Sequence, residues 1–287
     1  AQVHADGVRR TAVRVLLVGL LLLRLLAIGV FLLLGEVDRA LGAIEVVGAL
    51  ALTATVDDGD AVLAELARQL AAASLPELSA AETAILTAHL RLLDAWNPAI
   101  NLTRISDPLD RATRHLLDSL VAAPHIVRLI SDGRGKIADL GSGGGFPGVP
   151  LAARLLSRHD GLSMTLIESI GKKARFLEAV TAASGLAPRL RVAHARAEDL
   201  AQGGGVRFDL ITARAIAPLG ELIRLAAPIL TPTGSLLAWK RAGEDWDAEL
   251  SSAASFIGSS AIGVISVNVA ALEGALLVCV APHESER

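Results

Sequence analysis

The sequence predicts an α/β fold, a mostly parallel sheet of seven strands with helices on both faces and an antiparallel last strand. Three observations predict it. From residue 136 onward short apolar segments alternate with amphipathic ones, a glycine cluster separates the first strand from the first helix, and no helix separates the last two strands. Alternating strands and helices are typical of parallel βαβ units, whereas strands joined directly pair antiparallel.

Residues 1–74 are predicted to be a hydrophobic N-terminal extension. Its segment 15–34 is predominantly apolar, interrupted by Arg24, and about twenty such residues span a bilayer. Three interpretations stay open for this segment: a membrane anchor, a buried helix, or an upstream extension outside the fold. A cleaved signal peptide is the least consistent, since no clean small-residue cleavage site follows. Residues 61–73 have the pattern of a helix.

Residues 75–130 are predicted to form a helical cap. Ser79 and Glu82 make a capping box, and apolar residues at helical spacing follow until Asn97-Pro98. A second helix is predicted to begin at Asp107-Pro108 and to end near residue 120.

Residues 131–287 are predicted to hold the sheet. The predicted strands are 136–140, 163–167, 190–193, 208–212, 235–239, 261–268 and 275–281. The predicted helices are 149–157, 171–184, 218–228 and 244–256.

The first predicted strand runs into a glycine-rich turn. Gly141, Gly143 and Gly145 give G-x-G-x-G, which differs from the G-x-G-x-x-G that cradles a dinucleotide pyrophosphate. Asp139, just before the first glycine, would repel a pyrophosphate but could hold a ligand amine. Because such a turn brings backbone N–H groups and a helix N-terminus close to a ligand, the pattern indicates an amino-acid-bearing nucleoside such as S-adenosylmethionine.

Polar residues also follow the next four predicted strands, whose carboxyl ends share one edge of the sheet. Glu168 follows the second strand, where a carboxylate accepts both hydroxyls of a ribose. Glu198, Arg214 and Lys240 follow the third, fourth and fifth. The alternatives are structural: Glu168 as a helix N-cap, and the others as solvated charges.

Composition excludes several classes of protein. The net charge is −3, whereas domains that bind nucleic acid on their own are typically basic. The single cysteine, Cys279, excludes an internal disulfide and a cysteine metal cluster. With seven scattered histidines and no H-E-x-x-H, no metal site is predicted.

Several segments together resemble one family, the ribosomal RNA small subunit methyltransferase G family, also called the glucose-inhibited division protein B family. The resemblance extends over roughly 75–283. The segments that carry it are 96–103 (WNPAINLT), 114–119 (RHLLDS), 139–150 (DLGSGGGFPGVP), 168–173 (ESIGKK), 196–198 (RAE), 212–215 (TARA) and Lys240.

The resemblance implies a class I methyltransferase fold and transfer of the methyl group of S-adenosylmethionine to N7 of one guanine in 16S ribosomal RNA. It implies cofactor contacts at Gly141, Phe146, Ala197, Glu198 and Arg214. The residue pattern itself adds Asp139, Gly143 and Glu168 to the expected cofactor-binding residues.

Asn101, Arg214 and Lys240 are the expected residues for positioning the guanine or nearby phosphates. A cation beside a ring that gains positive charge is unfavourable, so Lys240 is expected at a phosphate or at O6. The expected partner is 16S ribosomal RNA within a small-subunit particle, bound by a cytoplasmic monomer without a stable protein partner.

Two rival interpretations come from other classes of protein. An NAD-dependent oxidoreductase is disfavoured by the glycine spacing and by Asp139. A membrane-anchored nucleotide-binding module would use residues 15–34.

Overall fold

The computed structural model describes residues 57–130, 133–202, 205–243, 245–257 and 260–282. The apolar segment 15–34 lies outside these residues. Within them, no helix combines the length and the apolar character needed to cross a bilayer.

The described chain begins with a layer of helices, the cap. Its helices are α1 (Asp57–Ala72), α2 (Ala80–Ile100), α3 (Pro108–Arg111), α4 (Asp118–Leu120) and α5 (Ala123–Leu129). A π-helical turn over Ala112–Leu117 joins α3 to α4 without a break. Such turns are rare and often lie at functional sites.

Seven strands form one sheet in the described part of the chain. They are β1 (Arg134–Leu140), β2 (Gly161–Glu168), β3 (Leu190–His194), β4 (Phe208–Arg214), β5 (Leu230–Arg241), β6 (Ser260–Ser266) and β7 (Ala275–Pro282). Their order is β3-β2-β1-β4-β5-β7-β6. The strands β1 to β5 pair in parallel, and β7 is antiparallel to both β5 and β6. The predicted fold class is confirmed.

Helices connect the parallel strands. They are α6 (Gly148–Leu156), α7 (Gly171–Ser184), α8 (Ala197–Gln202), α9 (Leu219–Ala226) and α10 (Trp246–Ile257). The main difference from the prediction is β5, which begins at Leu230 rather than at residue 235. The Thr-Pro-Thr-Gly sequence before residue 235 has the composition of a turn, but it continues the strand past a register shift opposite Phe208 and Leu210.

Helix α1 packs into the cap. Val62, Leu66 and Leu70 lie four residues apart and are completely buried, as expected for the apolar face of a packed helix. Gln69 donates a hydrogen bond of 2.7 Å to the Thr113 hydroxyl, in the π-helical turn. Residues 57–72 therefore pack as one layer with the cap helices.

The predicted capping box is present, and it also joins the cap to the sheet domain. The Glu82 side chain accepts from the backbone N–H of Ser79 and is completely buried. It also accepts from Arg158 at 2.7 Å and pairs with Arg154 at 3.4 Å. Because Arg154 belongs to α6, which follows the glycine loop, the cap is fixed beside that loop.

Candidate active site

The glycine loop between β1 and α6 depends on backbone conformations that favour glycine. Gly141, Gly143 and Gly145 have φ angles of +66°, +53° and +88°, where a Cβ atom is unfavourable. The N–H of Ser142 donates to the carbonyl of Ile167 at the end of β2. The loop therefore turns back across the carboxyl end of the neighbouring strand.

Glu168 joins this loop to the end of β2. Its Oε2 atom accepts from the N–H of Gly143 at 2.9 Å, and its Oε1 atom accepts from the N–H of Ile170 at 2.8 Å. The carboxylate therefore ties the chain before α7 and also organises the glycine loop, and its contact with a ribose stays a prediction. Each oxygen has a second lone pair, which leaves acceptor capacity for a ligand hydroxyl.

Asp139 lies beneath the loop rather than in its opening. Its side chain is completely buried, and its Oδ1 atom accepts from the Thr212 hydroxyl at 2.8 Å. Its Oδ2 atom has no partner among the described residues. Burial raises the pKa of Asp139 to about 6, against the opposing hydrogen bonds from Thr212 and Ser142. The side chain thus bridges β1 and β4, and its contact with a ligand amine stays a prediction.

His89 of α2 supports the loop from the cap. Its Nε2–H donates to the carbonyl of Gly144 at 2.8 Å, and a Cβ at Gly145 would lie 2.7 Å from the same nitrogen. Burial lowers the pKa of His89 to about 4, so the ring is neutral near pH 7. Glycine is needed at residue 145 both for its φ angle and for this close approach.

Phe146 lies between two histidine rings. Its ring stacks on His115 with centroids 4.2 Å apart and planes at 9°, and His89 lies 4.7 Å away. Burial, followed by the charge of Arg214, lowers the pKa of His115 to about 3. Because Phe146 is 8% exposed, it packs chiefly against the cap and presents little surface to a ligand.

Arg214, at the end of β4, is held by the cap. Its guanidinium donates to Asp118 Oδ2 and to the carbonyl of Arg114, each at 2.8 Å. Its central carbon lies 5.8 Å from the centre of the Phe146 ring. Burial raises the pKa of Asp118, and the charge of Arg214 opposes that rise. Trp239 of β5 also donates to the carbonyl of Asp118, so two strands converge on this turn of the cap.

Lys240, at the end of β5, has partners within the protein. Its ammonium donates to the carbonyl of Ala217 at 3.0 Å and to Glu249 of α10 at 2.5 Å. Only 12% of its side chain is exposed. The expected contact with a phosphate or with O6 would require this pair to separate, and that contact stays a prediction.

The remaining predicted residues lie around the same edge. Asn101 caps α2 with a φ angle of +52° and is exposed, and its neighbour Leu102 contacts the loop at Gly144. Ala197, at the start of α8, is buried, whereas Glu198 is exposed. The N–H of Ala195 donates to the carbonyl of Glu168, which brings the chain leading to α8 beside the ribose-binding carboxylate predicted there.

Sequence reasoning missed His89, Thr212 and Glu249. His89 falls on the apolar face of α2, where a histidine gives no signal beyond burial. Thr212 forms a hydrogen bond with a residue that lies 73 positions away in the sequence, and Glu249 with one that lies 9 positions away. No local pattern indicates either pairing.

The strand order β3-β2-β1-β4-β5-β7-β6, with β7 antiparallel and a G-x-G-x-G loop after β1, defines a class I methyltransferase. Residues 82–272 match the family model described as rRNA small subunit methyltransferase G. The chain belongs to that family, and the resemblance predicted from its motifs is confirmed.

Two curated relatives show the extent of the match, and both are named Ribosomal RNA small subunit methyltransferase G. The protein of Stenotrophomonas maltophilia (strain K279a) is 45% identical over 163 residues, 57% of this chain and 71% of the relative. The protein of Leptothrix cholodnii is 40% identical over 173 residues, 60% of this chain and 75% of the relative.

Solved structures with lower similarity include an O-methyltransferase from Bacillus cereus in complex with SAH. It is 14% identical, with a TM-score of 0.48, over 75% of this chain and 96% of that one. The fold assignment depends on the strand order and not on this likeness.

The loop and its neighbours fit S-adenosylmethionine. Glu168 offers a carboxylate on the β2 side, and the left-handed glycines leave the loop backbone uncovered by Cβ atoms. Ile170 and Ile216, on opposite sides of the loop, are 44% and 39% exposed. A carboxylate for the ribose and apolar surface for the remainder match an adenosyl ligand.

Proposed function

We propose that this protein transfers the methyl group of S-adenosylmethionine to N7 of a guanine in 16S ribosomal RNA. The observation that carries the proposal is the pair of hydrogen bonds by which Glu168 joins the glycine loop to β2. This arrangement supports the proposal that the Glu168 carboxylate accepts the hydroxyls of the ribose. Family membership supports ribosomal RNA as the substrate class.

The chemistry requires alignment more than acid or base catalysis. S-adenosylmethionine supplies an activated methyl group, and guanine N7 already has an unprotonated lone pair. The protein therefore has to hold donor and acceptor in line and exclude water. The two histidines nearest the loop, His89 and His115, are buried, and burial lowers their pKa values to about 4 and about 3, so each is a weak base.

Arg214 is the proposed link between the cofactor and the RNA. It lies at the end of β4 with 16% of its side chain exposed and with its charge balanced by Asp118. Held this way, it presents its remaining N–H groups to an anion at the sheet edge while the pair with Asp118 limits its movement. Asn101 is the proposed second contact, since it is exposed beside the loop.

Recognition of RNA is proposed to depend on a local basic surface, since the net charge is −3. Arg104, Arg114, Lys172 and Arg241 are exposed or largely exposed around the site. Phosphate contacts from these residues would make binding weaken as salt rises. A small number of such contacts favours an assembled small-subunit particle, whose proteins would complete the recognition. The protein is proposed to act as a monomer in the cytoplasm.

The domain division is proposed as a cap over 57–130 and a methyltransferase domain over 131–287. In this arrangement the cap supports the glycine loop through His89 and holds Arg214 through Asp118. The cap is thereby a part of the proposed active site.

Mass spectrometry of 16S RNA tests the function directly. RNA from cells that lack this protein should have lost one methyl group on a guanine, and the purified protein with S-adenosylmethionine should restore it on small-subunit particles. An unchanged RNA, together with thermal stabilisation of the protein by NAD and not by S-adenosylmethionine, would support the oxidoreductase alternative instead.

A further inference from the structure

Ile216 lies on the glycine loop although much of its side chain is at the surface. It is 39% exposed, and a Cβ at Gly141 would lie 2.8 Å from its Cδ1 atom. The side chain thus covers the backbone of the first loop glycine. Its exposed apolar surface therefore lies directly over loop backbone that a bound ligand would approach.

The chain reaches this position through an unfavourable backbone conformation. Ala215, between Arg214 and Ile216, has a φ angle of +56°. This left-handed conformation is unfavourable for a residue with a Cβ atom and persists where the surroundings enforce it. Such residues cluster at ligand-binding sites.

Two partly buried charged side chains hold the chain just after Ala215. Lys240 donates to the carbonyl of Ala217, and Glu249 accepts from the N–H of Leu219 at 2.5 Å. The two side chains also pair with each other at 2.5 Å. The segment 215–219 is therefore held from β5 and α10 at its far end, and from the cap through Arg214 at its near end.

The strand order indicates which part of the ligand this segment meets. β1 lies between β2 and β4, so Glu168 and Ile216 approach the glycine loop from opposite sides. With the ribose assigned to Glu168, the β4 side is left for the methionine end, which carries the methyl group. A hydrocarbon wall there excludes water and offers the methyl group no competing nucleophile.

We propose that Ile216 is the apolar wall of the cofactor site at the methyl-bearing end, and that Lys240 and Glu249 are positioning residues that hold it there. This inference rests on the proposed function. Lys240 then acts on the reaction through residues 215–219 rather than through a phosphate.

Binding of S-adenosylmethionine in the absence of RNA tests the role proposed for Ile216. In Ile216→Ala, calorimetry should show S-adenosylmethionine binding about tenfold more weakly, because the lost apolar contact is that of a partly exposed side chain. Val264→Ala, at a comparably exposed residue of β6, is the matched control and should bind as the wild type does. Wild-type affinity in Ile216→Ala would overturn the inference while leaving the proposed function intact. Failure of the wild type to bind would instead remove the proposed function.

A double-mutant cycle tests the positioning role. Lys240→Met should weaken cofactor binding severalfold, and the double variant Lys240→Met with Ile216→Ala should bind no more weakly than Ile216→Ala alone, because residues acting through one another are not additive. Arg68→Met, which breaks the exposed pair with Glu65, is the control. Full additivity would overturn the positioning role. If Lys240→Met fails to fold, Glu249→Gln, which keeps an acceptor for Leu219, replaces it in the same cycle.

Discussion

The Oε2 atom of Glu168 accepts a hydrogen bond of 2.9 Å from the N–H of Gly143. The other carboxylate oxygen accepts from Ile170, so one side chain at the end of β2 holds both the glycine loop and the approach to α7. Organisation of the loop and the proposed contact with the ligand therefore depend on the same side chain.

Glu168→Ala should lower both stability and cofactor affinity. Two backbone N–H groups lose their partner, which costs about 2 kcal/mol of unfolding free energy where they are buried. S-adenosylmethionine should bind at least about tenfold more weakly, a loss equal to 1.4 kcal/mol. Urea unfolding and calorimetry measure the two effects. Glu168→Gln keeps one acceptor and should be intermediate, whereas unchanged affinity in Glu168→Ala would make the residue a structural cap alone.

Gly145→Ala should destabilise the protein far more than Gly185→Ala. Both glycines have left-handed φ angles, +88° and +69°, so each substitution carries a backbone cost of about 1–2 kcal/mol. A Cβ at Gly145 would in addition collide with His89, whereas one at Gly185 has nothing within 4 Å. Overpacking adds about 1–3 kcal/mol. Equal losses of unfolding free energy in the two variants would contradict the close approach of His89.

Asp139 should make the protein less stable as pH rises from 4 to 6. Its pKa is raised by burial to about 6, above the unfolded value, so the folded state binds the proton more tightly. The contribution of Asp139 to the free energy of unfolding is at most about 3 kcal/mol. It is complete below about pH 4 and is lost as pH passes about 6. Unfolding free energies of Asp139→Asn and the wild type, compared across this range, should show this loss in the wild type only.

His115 should have the opposite effect and make the protein less stable as pH falls. Its pKa is lowered by burial to about 3, so the folded state resists protonation and the contribution is lost as pH falls below about 6.5. Between pH 7 and pH 5 the wild type should lose about 2 kcal/mol more than His115→Phe, which keeps a ring against Phe146. Parallel pH profiles for the two proteins would show that His115 titrates as it does in the unfolded chain.

Arg214→Ala should abolish methylation, whereas Asp118→Asn should reduce it only partly. Removing the guanidinium leaves a partly buried carboxylate unpaired, at a cost of about 2 kcal/mol that protonation of Asp118 limits. Asp118→Asn leaves Arg214 in place with its hydrogen bond to the carbonyl of Arg114. Methyl transfer to small-subunit particles, measured beside thermal unfolding, separates the two effects. Equal loss of activity in both variants would show that the pair, and not Arg214 itself, is what the reaction needs.

The fold was predictable because its signals are local. The capping box at Ser79 and Glu82, the glycine spacing and the alternation of strands and helices all lie within short segments. For the same reason, the candidate site could be predicted only in part from the sequence. Glu168 and Arg214 were found because each ends a strand, but local sequence shows neither the partner of Lys240 nor the burial of Asp139.

The sequence by itself determined the sheet, the loop that faces the cofactor and the family to which the chain belongs. Only the tertiary structure decided which side chains hold that loop. His89 bonds Gly144 across 55 residues, Arg158 bonds Glu82 across 76, and Arg214 bonds Asp118 across 96. The physical reason is that periodicity and turn chemistry act over a few residues, whereas these contacts form only when the cap packs against the carboxyl ends of the strands.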